Sequence, residues 1–297
     1  MTPLDLFQQA LKYSASTVFV KPDKKDVYFT PLNILLIAGS ECGKTRLLTQ
    51  ISCKKAYKTM DLSPKVIINS IIPKLLSKEI GFLVIPDMIQ LLGHKKTTTG
   101  STMGFINALI EEGIKDSDFF GLEFHLINTI KAGLLTAITS EEFKENAVKW
   151  NNIGFLHRIL PISYDYTEST VNNIHKIISN GLLNEINEIT IKTKDGEPKP
   201  ISIPERYSSD IMLMSLKVAD RFKDMTIKTY RGSKDRNAIK VKFDVKGFRI
   251  HDRLRQLARA ICFIDSKQKR KEVNSDDIIK LREISEVFNF PNTKMKI

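Results

Sequence analysis

The sequence predicts an α/β protein in which helices flank a parallel sheet and a mainly helical part follows. Apolar, strand-like runs alternate with helical stretches up to about residue 166, as is typical of a parallel sheet. The first run leads into a glycine-rich loop with the pattern of a phosphate-binding P-loop. We therefore divide the chain into an N-terminal helix and basic loop (1–30), a P-loop core (31–166) and a helical lid (167–297). The lid contains a small hairpin insertion (188–204).

The P-loop pattern lies in the stretch ILLIAGSECGKTRLL, where an apolar run enters Ala38-x4-Gly43-Lys44-Thr45 and amphipathic sequence follows. Alanine stands where the commonest form of the motif has glycine. The alternative is a chance Gly-Lys-Thr on a surface turn. The strand before the loop and the helix after it favour the P-loop, because the motif requires both.

The P-loop assigns roles to individual residues. Gly39 and Gly43 allow the backbone N–H groups to converge on phosphate oxygens. Lys44 would neutralise the β- and γ-phosphates of ATP, and the Thr45 hydroxyl would ligate Mg²⁺. The predicted nucleotide-binding residues of the loop are Gly39, Ser40, Glu41, Cys42, Gly43, Lys44, Thr45 and Arg46.

The first elements follow from local patterns. Within residues 1–30, the spacing of Leu4, Phe7, Ala10 and Leu11 predicts a short amphipathic helix, and a basic loop from Lys21 to Lys25 follows. The helix after the P-loop is predicted from Lys44 to about Ser52, and Tyr57 to Leu62 reads as a strand. Ser63-Pro64 then supplies an N-cap and an N1 proline.

The middle of the chain continues this alternation. Pro73 is expected to kink or end the helix that begins at Pro64. The remaining predicted elements of the core are a strand Gly81–Asp87, a mobile polar stretch His94–Thr102, a helix Met103–Glu112, a hairpin Phe119–Ile130, a strand Gly133–Thr139, a helix capped by Ser140 and a strand Ile159–Tyr164.

The C-terminal part contains three helical patterns and one exception. Asp195-Gly196 predicts a hairpin turn within residues 188–204. Helices are predicted at residues 209–222, 248–264 and 274–288, and acidic residues near Ser275 suit the start of the last one.

A P-loop enzyme needs a carboxylate at the end of a neighbouring strand to hold Mg²⁺, and FLVIPDM supplies Asp87. Pro86 precedes Asp87 and Met88 follows it, so the usual Asp-Glu pair is absent. Asp87 holds the metal without an adjacent catalytic glutamate, or it occupies the glutamate position itself. The alternative is that Asp87 has no metal-binding role and that the strand merely ends at Pro86-Asp87. Nucleotide binding is expected, whereas hydrolysis stays open.

Two further polar residues are candidates for the catalytic machinery. Thr139, at the end of GLLTAITS, is expected to touch the γ-phosphate or position water, whereas Thr136 suits the core. Arg158 lies between apolar residues just before a predicted strand, an unusual place for a permanent charge. In an oligomer it could reach the neighbouring subunit's γ-phosphate as an arginine finger. The alternative is an arginine whose stem packs at a domain edge.

Charge and composition narrow the class of protein. The formal net charge is +12, and Lys217 to Arg259 holds fourteen Lys/Arg and five Asp, a balance of 14 − 5 = +9. Such a density suits DNA, although a solvated helical surface or arginines serving nucleotide phosphates would explain it too. No apolar run is long enough to span a bilayer, and the first residues lack an apolar signal core. The three cysteines form no metal-ligand cluster, so a reduced cytoplasmic compartment is expected.

The ordered set AGSECGKT, FLVIPDM, GLLTAITS and GFLHRILP, followed by a helical C-terminal part, resembles an AAA+ ATPase. More narrowly, it is similar to the minichromosome-maintenance helicase branch over about residues 32–288. This resemblance implies an AAA+ type P-loop sheet with a helical lid, ATP and Mg²⁺ as cofactors, and a homo-oligomeric ring or filament. It implies an arginine finger at Arg158. In GFRIHDRLRQL it implies a sensor-2 arginine at Arg249 that contacts the nucleotide, with Arg253 as the second choice.

The chain departs from that branch in three respects. The glutamate next to Asp87 is missing, Thr139 replaces the usual asparagine, and the predicted hairpin is acidic. The leading expectation is an oligomeric ATPase that acts on DNA as a helicase, loader or remodelling factor. A protein remodeller that never touches DNA, or an ATP-dependent assembly switch with weak hydrolysis, are the alternatives.

Overall fold

A six-stranded, all-parallel sheet lies at the centre of the protein. The computed structural model describes residues 3–23, 30–88, 96–119, 122–179, 189–193, 197–228, 238–242, 247–290 and 295–296. The strands within these ranges are β1 Val20–Lys21, β2 Asn33–Ala38, β3 Ile51–Cys53, β4 Ala56–Lys58, β5 Phe82–Ile85, β6 Ile114–Phe119, β7 Leu122–Ile130, β8 Gly133–Thr139, β9 Leu160–Asp165, β10 Ile189–Ile191, β11 Lys199–Pro200, β12 Asp224–Lys228, β13 Ala238–Lys242 and β14 Met295–Lys296.

Helices flank the sheet and make up most of the C-terminal part. The α-helices within the described ranges are α1 Pro3–Ser16, α2 Lys44–Thr49, α3 Pro64–Val66, α4 Ile72–Leu76, α5 Lys96–Asn107, α6 Ser140–Asn152, α7 Glu168–Ser179, α8 Ser208–Lys223, α9 Phe248–Asp265 and α10 Ser275–Ser285. None of them is both long and apolar enough to cross a lipid bilayer.

The order of the strands in the central sheet is β14-β9-β2-β8-β5-β4. The P-loop strand β2 is therefore central, and β8 lies between it and β5, the strand that leads to Asp87. Every residue of β2 and of β5 is buried, which explains why these strands read as continuous apolar runs. The predicted α/β class with a parallel sheet is confirmed.

Two predictions at the edges of the core are wrong. Helix α2 ends at Thr49 rather than near Ser52, because residues 51–53 form β3, which pairs in parallel with β10. The hairpin expected at residues 188–204 does not form between its own strands. Strand β11 pairs in parallel with β1 instead, and the expected turn residues 194–196 lie outside the described residues.

Pro73 does not end its helix. The helical path runs from α3 through a π-helical turn, Ile67–Ile71, into α4, whose first turn contains Pro73. A π turn is wider than an α turn, so it accommodates a ring that would otherwise clash with the preceding turn. The stretch His94–Thr102, expected to be polar and mobile, is helical from Lys96, where α5 begins; residues 94 and 95 lie outside the described part of the chain.

Other elements agree with the sequence or shift slightly. The predicted hairpin exists, but its first strand, β6, begins at Ile114, and residues 120–121 lie outside the described ranges. The N-cap of α6 is Thr139 and not Ser140, because the Thr139 hydroxyl accepts the backbone N–H of Glu142. Helices α8, α9 and α10 confirm the three C-terminal helical predictions.

The C-terminal helices pack against the N-terminal helix as well as against one another. The Tyr13 hydroxyl of α1 donates to Asp265 Oδ1 at 2.7 Å, and Lys280 of α10 pairs with the same carboxylate at 2.5 Å. Gln256 of α9 donates through Nε2 to the carbonyls of Thr17 and Val20 at 2.9 and 2.8 Å. These contacts hold α9 beside the segment that leads into β2.

Candidate functional site

Two residues of the loop between β2 and α2 adopt an uncommon backbone conformation. Glu41 and Gly43 both adopt left-handed conformations, with φ of 63° and 69°. A Cβ atom on Gly43 would lie 2.6 Å from the Tyr166 hydroxyl oxygen. Both features disfavour a side chain at position 43, since positive φ is strained for residues other than glycine and the Tyr166 side chain would have to move.

Lys44 lies inside this loop. Its ammonium donates to the carbonyls of Gly39 at 2.6 Å and Ala38 at 3.3 Å. Burial lowers the pKa of Lys44, and the carboxylates of Asp87, Glu141 and Glu142 oppose that shift. The structure thus brings Lys44 and three carboxylates into one electrostatic neighbourhood at the carboxyl edge of the sheet.

Asp87 follows β5 at the same edge as the P-loop. Its successor Met88 is fully buried and donates its backbone N–H to the carbonyl of Ala137 at 2.9 Å. The position where the common motif has a glutamate is therefore filled by a core side chain. No group of three or more His, Cys, Asp or Glu within the described ranges could hold a metal by itself. A Mg²⁺ ion bound through ATP phosphates needs fewer protein oxygens, and the candidates for them are Thr45, in the first turn of α2, and Asp87, after β5.

Thr139 ends β8, directly beside the start of the P-loop, because it pairs with Ala38 in the sheet register. Its Oγ1 accepts the Glu142 N–H at 3.3 Å, and the Glu142 carboxylate accepts the Thr139 N–H at 3.4 Å. This capping box uses one lone pair of the hydroxyl and leaves its proton available. A phosphate oxygen or a water molecule could accept that proton.

Removing the cap should destabilise the fold measurably. We expect Thr139→Ala to lower the free energy of unfolding by about 1 kcal/mol, because the N–H of Glu142 loses its acceptor. Thr139→Ser keeps the hydroxyl and should stay close to wild type. Urea denaturation of the three proteins measures both values, and equal stability of the alanine and serine variants would contradict the capping role.

The end of β9 contributes residues to the site that sequence reasoning missed. The Tyr164 hydroxyl donates to the carbonyl of Cys42 at 2.8 Å, and Cys42 Sγ lies 3.8 Å from Asp165 Oδ1. Burial raises the pKa of the phenols of Tyr164 and Tyr166, so both remain neutral near pH 7. The signal was present in the sequence, because polar residues end an apolar strand at the edge where the P-loop lies.

Arg158 and Arg249 lie at the amino-terminal ends of the strands, whereas the P-loop lies at their carboxyl ends. Asn33, the first residue of β2, donates through Nδ2 to the carbonyl of Arg158 at 3.0 Å. The P-loop follows the last residue of the same strand, about 17 Å away at the usual rise of a strand. Within one chain, neither Arg158 nor its neighbour Arg249 is brought to the P-loop.

Acidic residues hold these arginines in place. Arg158 Nη2 contacts Glu112 Oε1 at 2.7 Å, and Arg249 Nε contacts Glu111 Oε1 at 2.8 Å. Arg253 donates to the carbonyl of His157 at 2.9 Å. Both glutamates belong to a π-helical turn, Ala108–Glu112, that continues α5. Turns of this kind are frequent at functional sites.

Much of the basic segment expected to bind DNA lies outside the described residues. Within it, the structure describes the end of α8, the strands β12 and β13, which pair in antiparallel fashion, and helix α9.

Comparison with known proteins adds no assignment, because no protein-family model and no curated protein matches the chain. The carboxyl ends of the strands are what bear on function: the loop with Lys44 follows β2, Thr139 ends β8 beside it, and Asp87 follows β5.

Proposed function

We propose that this protein is an oligomeric ATP-binding ATPase of the AAA+ type that acts on DNA. The observation that carries the proposal is the meeting of the P-loop, Asp87 and Thr139 at one edge of a parallel sheet. The strand that ends at Thr139 lies between the P-loop strand and the strand that leads to Asp87, which supports a role for its hydroxyl beside the bound nucleotide. This is the arrangement required to bind a triphosphate and to detect its terminal phosphate.

In this proposal each residue has a defined task. The loop N–H groups and Lys44 bind the β- and γ-phosphates, which would displace the ammonium from the carbonyls it now contacts. Mg²⁺, held by Thr45 and Asp87, would neutralise phosphate charge during the reaction. Thr139 orients water or a phosphate oxygen through its free hydroxyl proton.

The missing glutamate has possible replacements in the first turn of α6. Glu141 and Glu142 both act electrostatically on Lys44, so they lie on the nucleotide side of the sheet. The carboxylate of Glu142 caps its own helix, whereas Glu141 is exposed. Glu141 is the residue we assign to accept the proton of the attacking water, through an ordered solvent molecule if needed.

We infer an oligomer from the distance between Arg158 and Arg249 and the P-loop of their own chain. Because both lie at the edge opposite their own P-loop, they could serve a nucleotide held by a neighbouring copy. Arg158 and Arg249 would then exchange Glu112 and Glu111 for phosphate oxygens when two subunits meet. Head-to-tail contacts of this kind generate rings or filaments.

A mixing experiment tests this proposal at its most specific point. We expect Lys44→Ala and Arg158→Ala proteins each to be inactive as ATPases. An equimolar mixture should regain about a quarter of wild-type turnover, because one interface in four combines an intact P-loop with an intact arginine. Native mass spectrometry would show whether the mixture contains mixed oligomers. If mixed oligomers form and ATPase activity is not recovered, an arginine finger in trans is ruled out.

DNA is the proposed substrate because Lys217 to Arg259 carries a balance of +9. Binding of single- and double-stranded oligonucleotides should weaken steeply as salt is raised, and ATP should change the affinity. An active ATPase that shows no salt-dependent DNA binding would point to a remodeller of proteins instead.

A nucleotide-gated assembly switch is the second candidate. The buried Met88 favours it, because the carboxylate that most P-loop ATPases place beside Asp87 is replaced by a core side chain. The two candidates differ in turnover. A switch would assemble on ATP and remain assembled, whereas an ATPase would show Lys44-dependent phosphate release that Glu141→Gln strongly reduces.

A further inference from the structure

A cavity of about 60 Å³ lies between helix α9 and the segment that enters β2, away from the P-loop. A single water molecule needs about 10–15 Å³ of such space, so the cavity could take a tetrahedral oxyanion or a few waters. The residues that line it are Thr30, Pro31, Asn33, Ile110, Glu111, Arg249, Asp252, Arg253, Arg255, Gln256 and Arg259.

Helix α9 presents its polar side chains to this cavity in a fixed arrangement. Arg249, Arg253 and Arg259 recur at helical spacing, with Gln256 between the last two. Arg259 donates through Nε to the carbonyl of Ile201 at 3.0 Å and through Nη1 to Gln256 Oε1 at 3.4 Å. These bonds hold the Arg259 guanidinium before any ligand arrives, so its part in binding costs little side-chain entropy.

The charges around the cavity do not balance. Four arginines and two acidic residues line the cavity, Asp23 lies near enough to attract Arg259, and the side chain of Asp252 is 70% exposed. Glu111 pairs with Arg249 and approaches Arg253 at 3.9 Å. Within the described part of the chain, no ion pair is formed by Arg255 or Arg259, and Arg259 is 3% exposed. A buried guanidinium without a carboxylate partner is costly, so an anion would stabilise it.

The pKa values of the buried arginines agree with this imbalance. Burial lowers the pKa of Arg253 to about 10. Burial and the charge of Arg255 lower the pKa of Arg259 to about 10, against the attraction of Asp23 and Asp252. Both side chains stay protonated at pH 7, and the cavity remains positively charged.

A second observation points to a ligand. The hydroxyl oxygen of Thr30 is buried, and no hydrogen-bond partner for it occurs among the described residues. Thr30 lines the same cavity as the arginines. Buried hydroxyl groups in folded proteins are normally hydrogen-bonded, and an oxyanion beside Thr30 would accept its proton.

We propose that this cavity is a phosphate-binding site in which Arg255, Arg259 and Thr30 hold the oxygens of one phosphate group. Guanidinium groups bind phosphate in a bidentate manner, and a hydroxyl adds a further donor. The site goes beyond the proposed ATPase function, since it does not involve the P-loop. A nucleic-acid backbone or free inorganic phosphate could supply the group.

Thermal unfolding in rising phosphate concentration tests the site. We expect saturable stabilisation by phosphate at constant ionic strength, both in wild-type protein and in Lys44→Ala, because a ligand bound to the native state raises Tm. Arg255→Gln should weaken phosphate about tenfold and Thr30→Val about fivefold. Thr30→Ser, which keeps the hydroxyl, and Arg282→Gln, at an exposed arginine on α10, serve as matched controls.

The outcomes separate this site from the P-loop and from general screening of charge. Equal weakening by Arg282→Gln, or a Tm that rises without saturation, would overturn the proposal. Lys44→Ala removes the P-loop lysine. If phosphate still stabilises that variant, the stabilisation is assigned to the cavity, even where the proposed ATP binding at the P-loop is not observed. We expect a single-stranded oligonucleotide to compete with phosphate in wild type and less in Arg255→Gln; absence of competition assigns the site to free phosphate.

Discussion

Lys44→Ala is expected to reduce ATP affinity and turnover by about 100-fold, the largest functional effect in this protein. The ammonium now contacts two loop carbonyls inside the P-loop, and it would contact two phosphate groups of bound ATP. Hydrogen bonds to charged groups stabilise by about 1.5–3 kcal/mol each, and a hundredfold change is about 2.7 kcal/mol, so loss of both gives a change of at least this size. Isothermal titration with ATP and Mg²⁺, and phosphate release under the same conditions, measure the two quantities.

Lys65→Ala provides the matched control, because Lys65 is an exposed lysine on α3. It should bind and turn over ATP like wild type. Retention of ATP affinity by Lys44→Ala would mean that the loop does not bind the triphosphate, and the proposed ATPase function would then be withdrawn.

Gly43→Ala is expected to lower the free energy of unfolding by about 2 kcal/mol and to weaken ATP binding more than tenfold. An alanine at φ 69° is strained, and its Cβ would meet the Tyr166 hydroxyl at 2.6 Å. Tyr166 would have to move, which also disturbs the loop residues packed at the end of β9. Chemical denaturation and ATP titration of the same preparation separate the two effects.

Gly100→Ala is the control for this substitution. Gly100 lies within α5, and nothing within 4 Å would meet its new Cβ, so the variant should gain about 0.5–1 kcal/mol of stability. The double variant Gly43→Ala/Tyr166→Phe should recover part of the loss, because the clashing oxygen is gone while the strained φ remains. Full recovery would show that backbone strain contributes nothing at position 43.

Local sequence was sufficient for the parts of the site that lie within one strand–loop–helix unit. The P-loop could be located because its glycines, Lys44 and Thr45 are adjacent in the chain and each acts through its own backbone or side chain. The buried strands could be located because both faces of β2 and β5 are apolar. Asp87 and Thr139 could be predicted to lie near the P-loop, because the carboxyl ends of parallel strands lie on the same side of a sheet.

Pairings between distant segments could not be read in this way. Strand β10 pairs with β3 and β11 with β1, although the sequence around Asp195-Gly196 favours a local hairpin. A turn signal describes a local preference, whereas the partner of a short strand depends on which sheet edge is left open by the rest of the fold. The end of α2 at Thr49 has the same origin, since the next residues are recruited into β3.

The sequence by itself determined the parallel α/β fold class, the position of the glycine-rich loop between β2 and α2 and the residues at the carboxyl edge of the sheet, because each of these depends on neighbours in the chain or on strand direction. The tertiary structure alone decided that Tyr164 and Tyr166 support the loop, that Glu111 and Glu112 hold Arg249 and Arg158 at the opposite edge, and that α9 encloses an arginine-lined cavity. These contacts join residues far apart in the chain. Their geometry follows from how the helices pack on the sheet, which no local pattern encodes.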